Sequence, residues 1–193
     1  MDATALRTLL EDVRDSQVSP DQAMHRLRHL PFEDLGFAKI DHHRSLRLGM
    51  PEVIYAAGKT PDQVAEIFVR MAERGTNVLA TRADQGKFEA VQARVPEAEF
   101  HTVSGCIVLR HNSEKHGRGL ILVVCAGTSD IPVAEEAAVT AELMGNEVEQ
   151  LCDVGVAGLH RLLAHRDILT RARVLIVCAG MEGALPSVVA RAL

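Results

Sequence analysis

The chain has 193 residues, of which 47% are hydrophobic and 24% charged, and its formal net charge is −5. This composition predicts a globular fold, and the negative charge argues against non-specific nucleic-acid binding. No apolar run approaches the roughly 20 residues that span a bilayer, and the N-terminus lacks the pattern of a signal peptide. The four cysteines form no CxxC pair, which favours reduced thiols in a cytoplasmic protein over disulfides or a zinc site.

The first 30 residues predict a helical hairpin. Apolar residues at helical spacing mark a helix over 3–15, and SPDQ at 19–22 has the form of a capping box that starts a second helix. Residues 31–51 mix polar and apolar side chains without a sustained period, so they predict mostly loop. Composition favours a solvated linker there, although the charged residues also suit a loop that serves a site or a neighbouring subunit.

Residues 51–110 predict a small α+β unit. Strands at 51–56 and 77–80 alternate with helices, the first of which begins with a second capping box, TPDQ at 60–63. A helix at 84–91 and two short strands at 99–103 and 106–109 follow. GKT at 58–60 resembles the end of a Walker A motif, but Val53 stands where that motif needs its first glycine, which excludes a P-loop. The polar stretch 111–119 predicts a domain boundary.

The remaining chain contains three strand–turn–helix units, which begin near residues 120, 147 and 173. The first unit opens with the apolar run LILVVC at 120–125, which is typical of a strand buried on both faces of a parallel sheet. The regular order of the units predicts a parallel sheet with right-handed crossovers. Ligands of such sheets bind outside the carboxyl ends of the strands, beside helix N-termini. The three turns after the strands are therefore the predicted ligand site.

Each of these turns carries side chains that can bind or react with a ligand: Gly127, Thr128, Ser129 and Asp130; Asp153, His160 and Arg161; Glu182 and Ser187. Hydroxyls and helix N–H groups can hold a phosphate, and an aspartate can bind ribose hydroxyls. An arginine can pair with a second phosphate or a carboxylate, while a histidine or glutamate can move a proton. The same residue types also suit helix caps and surface positions. Convergence of three turns on one edge favours the functional interpretation.

Five further residues near these turns bear on the site. Glu135 and Glu136 weigh against simple phosphate binding at the first turn, because two carboxylates offset part of the positive helix end. We expect them to stabilise the helix or to lie behind the ligand-binding residues. Cys125 and Cys178 end two strands and are predicted to be buried. Core packing is also expected for Cys152, since the carboxylate next to it disfavours a thiolate.

The three turns resemble those of the PurE family of aminoimidazole ribonucleotide carboxylases and mutases. The chain has AGTSD at 126–130, GLHR at 158–161 and AGMEGALPSVV at 179–189, where PurE proteins have GSxSD, SAHR and AGxxxxxLP. The chain is more similar to the LarB family of pyridinium-3,5-biscarboxylic acid mononucleotide synthases, which assemble the nickel-pincer cofactor. Shared with LarB are GFAKIDHHR at 36–44, PEVIY at 51–55, GKT at 58–60, TSDIPVAEEA at 128–137, DVGVAGLHR at 153–161 and GMEGALPS at 180–187.

The LarB resemblance implies an α/β fold with a PurE-like, flavodoxin-like parallel sheet and helices on both faces, preceded by a small N-terminal α+β domain. It divides the chain into a helical hairpin at 1–30, a small α+β domain at 31–112 with a family-type loop at 36–44, and a nucleotide-binding domain at 119–193. In this family the chain continues beyond Val189, and the nucleophilic cysteine lies in that further part. The resemblance therefore implies a C-terminally truncated fold.

The resemblance also implies an enzyme that carboxylates the pyridinium ring of nicotinic acid adenine dinucleotide and hydrolyses its phosphoanhydride, releasing AMP. Carbon dioxide or bicarbonate is the second substrate, Mg²⁺ assists through ligands that the sequence does not identify, and no organic cofactor is implied. A cytoplasmic homo-oligomer is expected, with no nucleic-acid or membrane partner.

Carried over by position, the first turn would hold the mononucleotide half of that substrate. His160 and Arg161 would meet a phosphate or the ring carboxylate, and Glu182 is the candidate base for the ring proton. Two alternatives stay open: a PurE-type carboxylase or mutase, and a nucleotide-binding relative without chemistry. The loop at 36–44 counts against the first, because PurE proteins lack it. The absence of a cysteine at the family's nucleophile position favours the second.

Overall fold

The computed structural model describes residues 3–27, 32–42, 44, 48, 50–181 and 183–192. Helices α1 (Ala3–Arg14) and α2 (Pro20–Leu27) pack together through an apolar cluster centred on Leu9, Val18 and Ala23. The first capping box is confirmed. The Ser19 N–H donates to Gln22 Oε1 at 3.0 Å, and the Gln22 N–H donates to Ser19 Oγ at 3.1 Å. None of the helices among the described residues is long and apolar enough to cross a membrane.

The predicted loop at 31–51 contains a short antiparallel hairpin of β1 (Glu33–Asp34) and β2 (Lys39–Ile40). Gly36 turns the chain with φ of +83°, and its N–H donates to Asp34 Oδ1 at 2.8 Å. Two-residue strands are too short to show an alternating pattern, so the sequence did not predict this hairpin within the segment expected to be mostly loop.

A four-stranded sheet follows, in the order β3-β4-β6-β5. Strands β3 (Ile54–Tyr55) and β4 (Val78–Thr81) are parallel, whereas β5 (Glu99–His101) and β6 (Cys106–Leu109) are joined antiparallel to their neighbours. This arrangement confirms the predicted α+β pattern, although β3 is shorter than expected.

Helix α3 (Pro61–Ala72) crosses between β3 and β4, and α4 (Gln85–Gln92) precedes β5. Thr60 and Gln63 form the second predicted capping box, with the Gln63 N–H 3.3 Å from Thr60 Oγ1. One face of α3 is buried against the sheet, because its apolar residues recur at helical spacing: Val64, Ile67, Phe68 and Met71.

The C-terminal part holds a three-stranded parallel sheet in the order β8-β7-β9. Its strands are β7 (Leu120–Cys125), β8 (Glu147–Leu151) and β9 (Val174–Cys178). The central strand β7 is nearly all buried, as its continuous apolar run predicted.

Helices cover both faces of this sheet, which confirms the predicted fold class. Helix α5 (Ile131–Leu143) packs on one face. On the other face lie α6 (Leu159–Leu163), α7 (Arg166–Arg171) and α8 (Ala184–Ala192), which bury apolar side chains against β7.

Helix α5 is shared by the two sheets. Ala134 and Ala138 face the three-stranded sheet, whereas Val139 and Leu143 pack with the buried side chains of the four-stranded sheet: Leu79, Cys106 and Val108. At the end of the helix, the Asn77 side-chain amide donates to the Leu143 carbonyl at 3.0 Å. Helix α5 therefore begins at the first predicted turn and packs along the four-stranded sheet toward its end.

Candidate functional site

The first predicted turn runs from the end of β7 into α5 through a 3₁₀ turn at Thr128–Asp130. Pro132 occupies the first turn of α5, where a residue without an N–H leaves no hydrogen bond unmade. Thr128 and Ser129 are exposed, so both hydroxyls are accessible at the carboxyl edge of the sheet. This edge is where a ligand of a parallel sheet is expected.

The half-buried carboxylate of Asp130 joins the first turn to the third. Its Oδ2 accepts from the N–H of Gly127, and its Oδ1 accepts from the N–H of Gly180, both at 3.0 Å. Each oxygen thus holds a backbone group of the site. This geometry gives Asp130 a role in positioning the turns, which is distinct from the ribose contact that the sequence suggested.

The second turn approaches the first through backbone atoms. The N–H of Val154 donates to the Cys125 carbonyl at 3.2 Å. A Cβ on Gly155 would lie 2.8 Å from the Ala126 carbonyl oxygen, a distance that real Cβ atoms do not adopt. Glycine is therefore required at position 155 for the two turns to come this close.

Asp153 and Arg161 pair within the second turn, with Nη1 and Oδ2 2.5 Å apart. Asp153 has φ of +58°, the left-handed region, which aspartate tolerates better than most residues. The pair is partly exposed, so the guanidinium has further N–H groups available to a ligand.

The remaining predicted residues are less closely joined. His160 is exposed on α6, and Ser187 is exposed on α8, which contacts the 3₁₀ turn at Val156–Gly158. Glu182 lies outside the described residues. The structure thus brings the backbones of all three turns together, while it leaves His160 and Ser187 as exposed groups on neighbouring helices.

Cys125 and Cys178 end β7 and β9, and Cys152 directly follows the last residue of β8. Cys125 is buried, as predicted, but Cys178 is half-buried because β9 is an edge strand, and Cys152 is exposed rather than packed in the core. Partial burial, the neighbouring Cys125 thiol and the Asp153 carboxylate raise the pKa of Cys152 to about 11. Burial first, and then nearby Cys125 and Asp130, also raise the pKa of Cys178. Both thiols are therefore poor nucleophiles at neutral pH.

The described residues do not form a ready-made metal cage. Among them, no group of three or more His, Cys, Asp or Glu side chains could hold a metal ion. Both oxygens of Asp130 accept backbone N–H groups, and Asp153 is paired with Arg161. The described donors of these turns thus do not fit a resident Mg²⁺, which needs six oxygen ligands from carboxylates, waters or phosphates.

Comparison with known proteins identifies the family. A model of LarB/PurE-like N-terminal domains matches residues 32–112. An uncharacterised protein of Methanocaldococcus jannaschii is 35% identical over 194 residues, which cover 96% of this chain and 76% of that protein. The chain belongs to the LarB family. The match to the LarB/PurE-like domain indicates a carboxylase-like enzyme.

The LarB-type N-terminal region also contacts the candidate site, which the sequence did not reveal. Arg82 lies 2.8 Å from Glu136, and the Ser104 hydroxyl donates to Glu135 at 3.2 Å. Both glutamates belong to α5, beyond the first turn of the site. These partners are more than 30 residues apart in the chain, so no local pattern could pair them.

Proposed function

We propose that this LarB-family protein carboxylates the pyridinium ring of nicotinic acid adenine dinucleotide and hydrolyses its phosphoanhydride, releasing AMP. The product would be pyridinium-3,5-biscarboxylic acid mononucleotide, a precursor of the nickel-pincer cofactor. The observation that supports this proposal is the convergence of three turns at one sheet edge, held by Asp130, in a chain of this family.

The first and second turns would bind the mononucleotide half. The exposed hydroxyls of Thr128 and Ser129 stand before the N-terminus of α5, where a phosphate is favoured by the helix dipole. Arg161 would turn its remaining N–H groups to the phosphate or to the ring carboxylate while Asp153 holds it. Asp130 would keep these groups aligned without touching the reacting atoms.

The chemistry requires a nucleophile and a base. A thiolate that adds to the pyridinium ring forms a neutral dihydropyridine, whose enamine carbon attacks carbon dioxide. A base then removes the proton from that carbon, and departure of the thiolate restores the aromatic ring. Glu182 is the proposed base by family position, and His160 is the second candidate for proton transfer.

Mg²⁺ would enter with the substrate. The pyrophosphate oxygens supply ligands that the described residues lack, and magnesium is commonly bound through substrate phosphates and waters.

A second candidate function is nucleotide binding without turnover. The raised pKa of Cys152 and of Cys178 favours it, because a protonated thiol adds poorly to a pyridinium ring. The proposed substrate and site are the same in both cases. The two functions differ in whether a product forms.

The test combines binding and turnover on the full chain. Nicotinic acid adenine dinucleotide, ¹³C-bicarbonate and Mg²⁺ are incubated with the protein, and mass spectrometry follows AMP and the labelled mononucleotide. Labelled product supports the carboxylase, binding without product supports the second candidate, and neither binding nor product contradicts both. Aminoimidazole ribonucleotide in the same assay tests the PurE-type alternative.

Arg161→Gln should weaken dinucleotide binding measured by calorimetry. The matched control is Arg171→Gln, since Arg171 pairs with Glu149 in the same sheet domain but away from the turns. Equal affinities for the two variants would remove Arg161 from the proposed site.

A further inference from the structure

Two carboxylates lie one turn inside α5, close to the helix end where the nucleotide phosphate is proposed to bind. Glu135 and Glu136 would offset the positive end of the helix dipole if they were unpaired. The structure shows that both are paired, and that each partner comes from the four-stranded sheet unit. Side chains of the four-stranded sheet unit therefore determine how much negative charge remains uncompensated near the start of α5.

Glu136 pairs with Arg82, whose Nε lies 2.8 Å from Oε2. Arg82 follows β4 directly and has φ of +58°, the left-handed region. That conformation is strained for a residue other than glycine, so it persists only where the surroundings determine it. The ion pair with Glu136 is one interaction that holds Arg82 in this conformation.

Glu135 is held from the neighbouring turn between β5 and β6. The Ser104 hydroxyl, on a residue that is 7% exposed, donates to Oε1 at 3.2 Å, and His101 Nδ1 lies 3.9 Å from the same oxygen. The His101 carbonyl oxygen lies 3.4 Å from the same hydroxyl, so the carboxylate offers the shorter contact and the charged acceptor.

The turns that carry Arg82 and Ser104 are fixed to each other. The N–H of Ala83 donates to the Gly105 carbonyl at 2.8 Å. Gly105 has φ of +66°, and a Cβ there would lie 2.8 Å from the Ala83 carbonyl oxygen. The two turns thus form one rigid surface against α5.

We propose that Arg82 is a positioning residue for nucleotide binding, because it neutralises Glu136 and keeps the N-terminus of α5 attractive to a nucleotide phosphate. This inference rests on the proposed function. Glu136 lies six residues after Asp130, which is about 9 Å along a helix at about 1.5 Å per residue. At that separation, one uncompensated charge changes anion affinity by roughly threefold to tenfold at low ionic strength.

The experiment is calorimetric titration of the full chain with nicotinic acid mononucleotide at low salt. Arg82→Gln should raise Kd by roughly threefold to tenfold. The double variant Arg82→Gln/Glu136→Gln should return to the wild-type Kd, because it removes the carboxylate that Arg82 neutralises. Salt should reduce the difference between Arg82→Gln and wild type.

Arg94→Gln is the matched control. Arg94 is 43% exposed against 51% for Arg82, and it pairs with Glu66 of the same N-terminal unit at 2.8 Å. Removal of the Arg94 charge should leave the Kd for nicotinic acid mononucleotide unchanged. Should Arg82→Gln fail to fold, Arg82→Asn replaces it, since asparagine adopts the left-handed conformation more readily.

Two results would overturn the inference: an unchanged Kd in Arg82→Gln, or a double variant that binds as weakly as the single one. The second result would mean that Arg82 touches the ligand or acts through the fold. AMP and inorganic pyrophosphate serve as further probes. If wild type binds them but not nicotinic acid mononucleotide, the proposed substrate is wrong and the charge effect is tested on the anion that binds. If no anion binds, both proposals fail.

Discussion

The carboxylate of Asp130 accepts a hydrogen bond from the backbone N–H of Gly180, 50 residues further along the chain. Its other oxygen accepts from Gly127, three residues before it. One side chain therefore fixes the geometry of two turns that belong to different strands. The site depends on this link as much as on the groups that would touch a ligand.

Asp130→Ala should lower the free energy of unfolding by about 2–4 kcal/mol, because it removes two hydrogen bonds to a charged group, each of which contributes roughly 1.5–3 kcal/mol when shielded and less when solvent-exposed, as the bond from Gly180 is. Asp130→Asn should lose less, since its amide keeps one acceptor oxygen. Urea denaturation of the three proteins measures both effects. A loss below about 0.5 kcal/mol in Asp130→Ala would show that the turns are held by other contacts.

Gly155→Ala should separate the first and second turns. The added Cβ would lie 2.8 Å from the Ala126 carbonyl oxygen, so the backbone must shift, and we expect about 1–3 kcal/mol of destabilisation with weaker nucleotide binding. Gly86→Ala is the control, because its Cβ meets Asp84 Oδ1 at an ordinary 3.6 Å in the first turn of α4. That variant should gain up to about 1 kcal/mol from helix propensity. Equal stability of the two variants would argue against a tight approach.

The sequence predicted the fold wherever the signal was local. The run at 120–125 and the two capping boxes depend on residues within one element, so their strands and helices were confirmed close to the expected bounds. The parallel order followed from the regular alternation of strands and helices. The hairpin at β1 and β2 was missed because two residues carry no period.

The site was predicted less completely, because its geometry depends on distant partners. The position of the three turns at one edge followed from the topology, but the bond from Gly180 to Asp130 joins residues that no pattern relates. The same holds for Arg82 and Glu136, whose pairing needs the packing of two sheets on one helix. The exposure of Cys152 was missed, since a small residue beside a strand end gives no sign of its environment.

Cys152 should react slowly with iodoacetamide at neutral pH. Its pKa is raised to about 11 by partial burial, by the Cys125 thiol and by Asp153, so the thiolate fraction stays small. The alkylation rate, followed by peptide mass spectrometry, should rise about tenfold per pH unit from about pH 8 to 10. Asp153→Asn should speed the reaction at a given pH, because it removes one cause of the shift. A rate that levels off near pH 9, as for free glutathione, would contradict the raised pKa.

Stability should fall in mild acid because of the cluster around His42. Its Nε2 lies 3.0 Å from Glu33 Oε2, and burial lowers the pKa of His42 more than this hydrogen bond raises it. The unfolded chain, with a histidine pKa of about 6.5, therefore binds a proton first as the pH falls. Stability from this group is fully present above about pH 6.5 and is lost progressively below it.

Glu33 adds to the same trend at lower pH. Burial acts to raise the pKa of Glu33, but the hydrogen bond from His42 and the charges of Arg70 and Arg74 outweigh it, so the pKa is lowered. Its contribution is present above about pH 4.3 and is lost below that value.

Denaturation at about pH 7, 6 and 5 isolates the His42 effect, and His42→Gln should flatten the decline in stability with falling pH. His25→Gln, which changes an exposed side chain of α2, is the matched control.

Helix α5 packs one apolar face against each sheet, so the order in which the two sheets are synthesised affects how the helix folds. The strands that bear Leu79, Cys106 and Val108 precede α5 in the chain, so they leave the ribosome first. The surface that receives Val139 and Leu143 can therefore be complete when the helix emerges, since domains fold from the N-terminus during translation. The four-stranded sheet would then be a template on which the nucleotide-binding half folds. A chain that lacks residues 51–110 would expose the apolar face of α5 that this sheet normally covers.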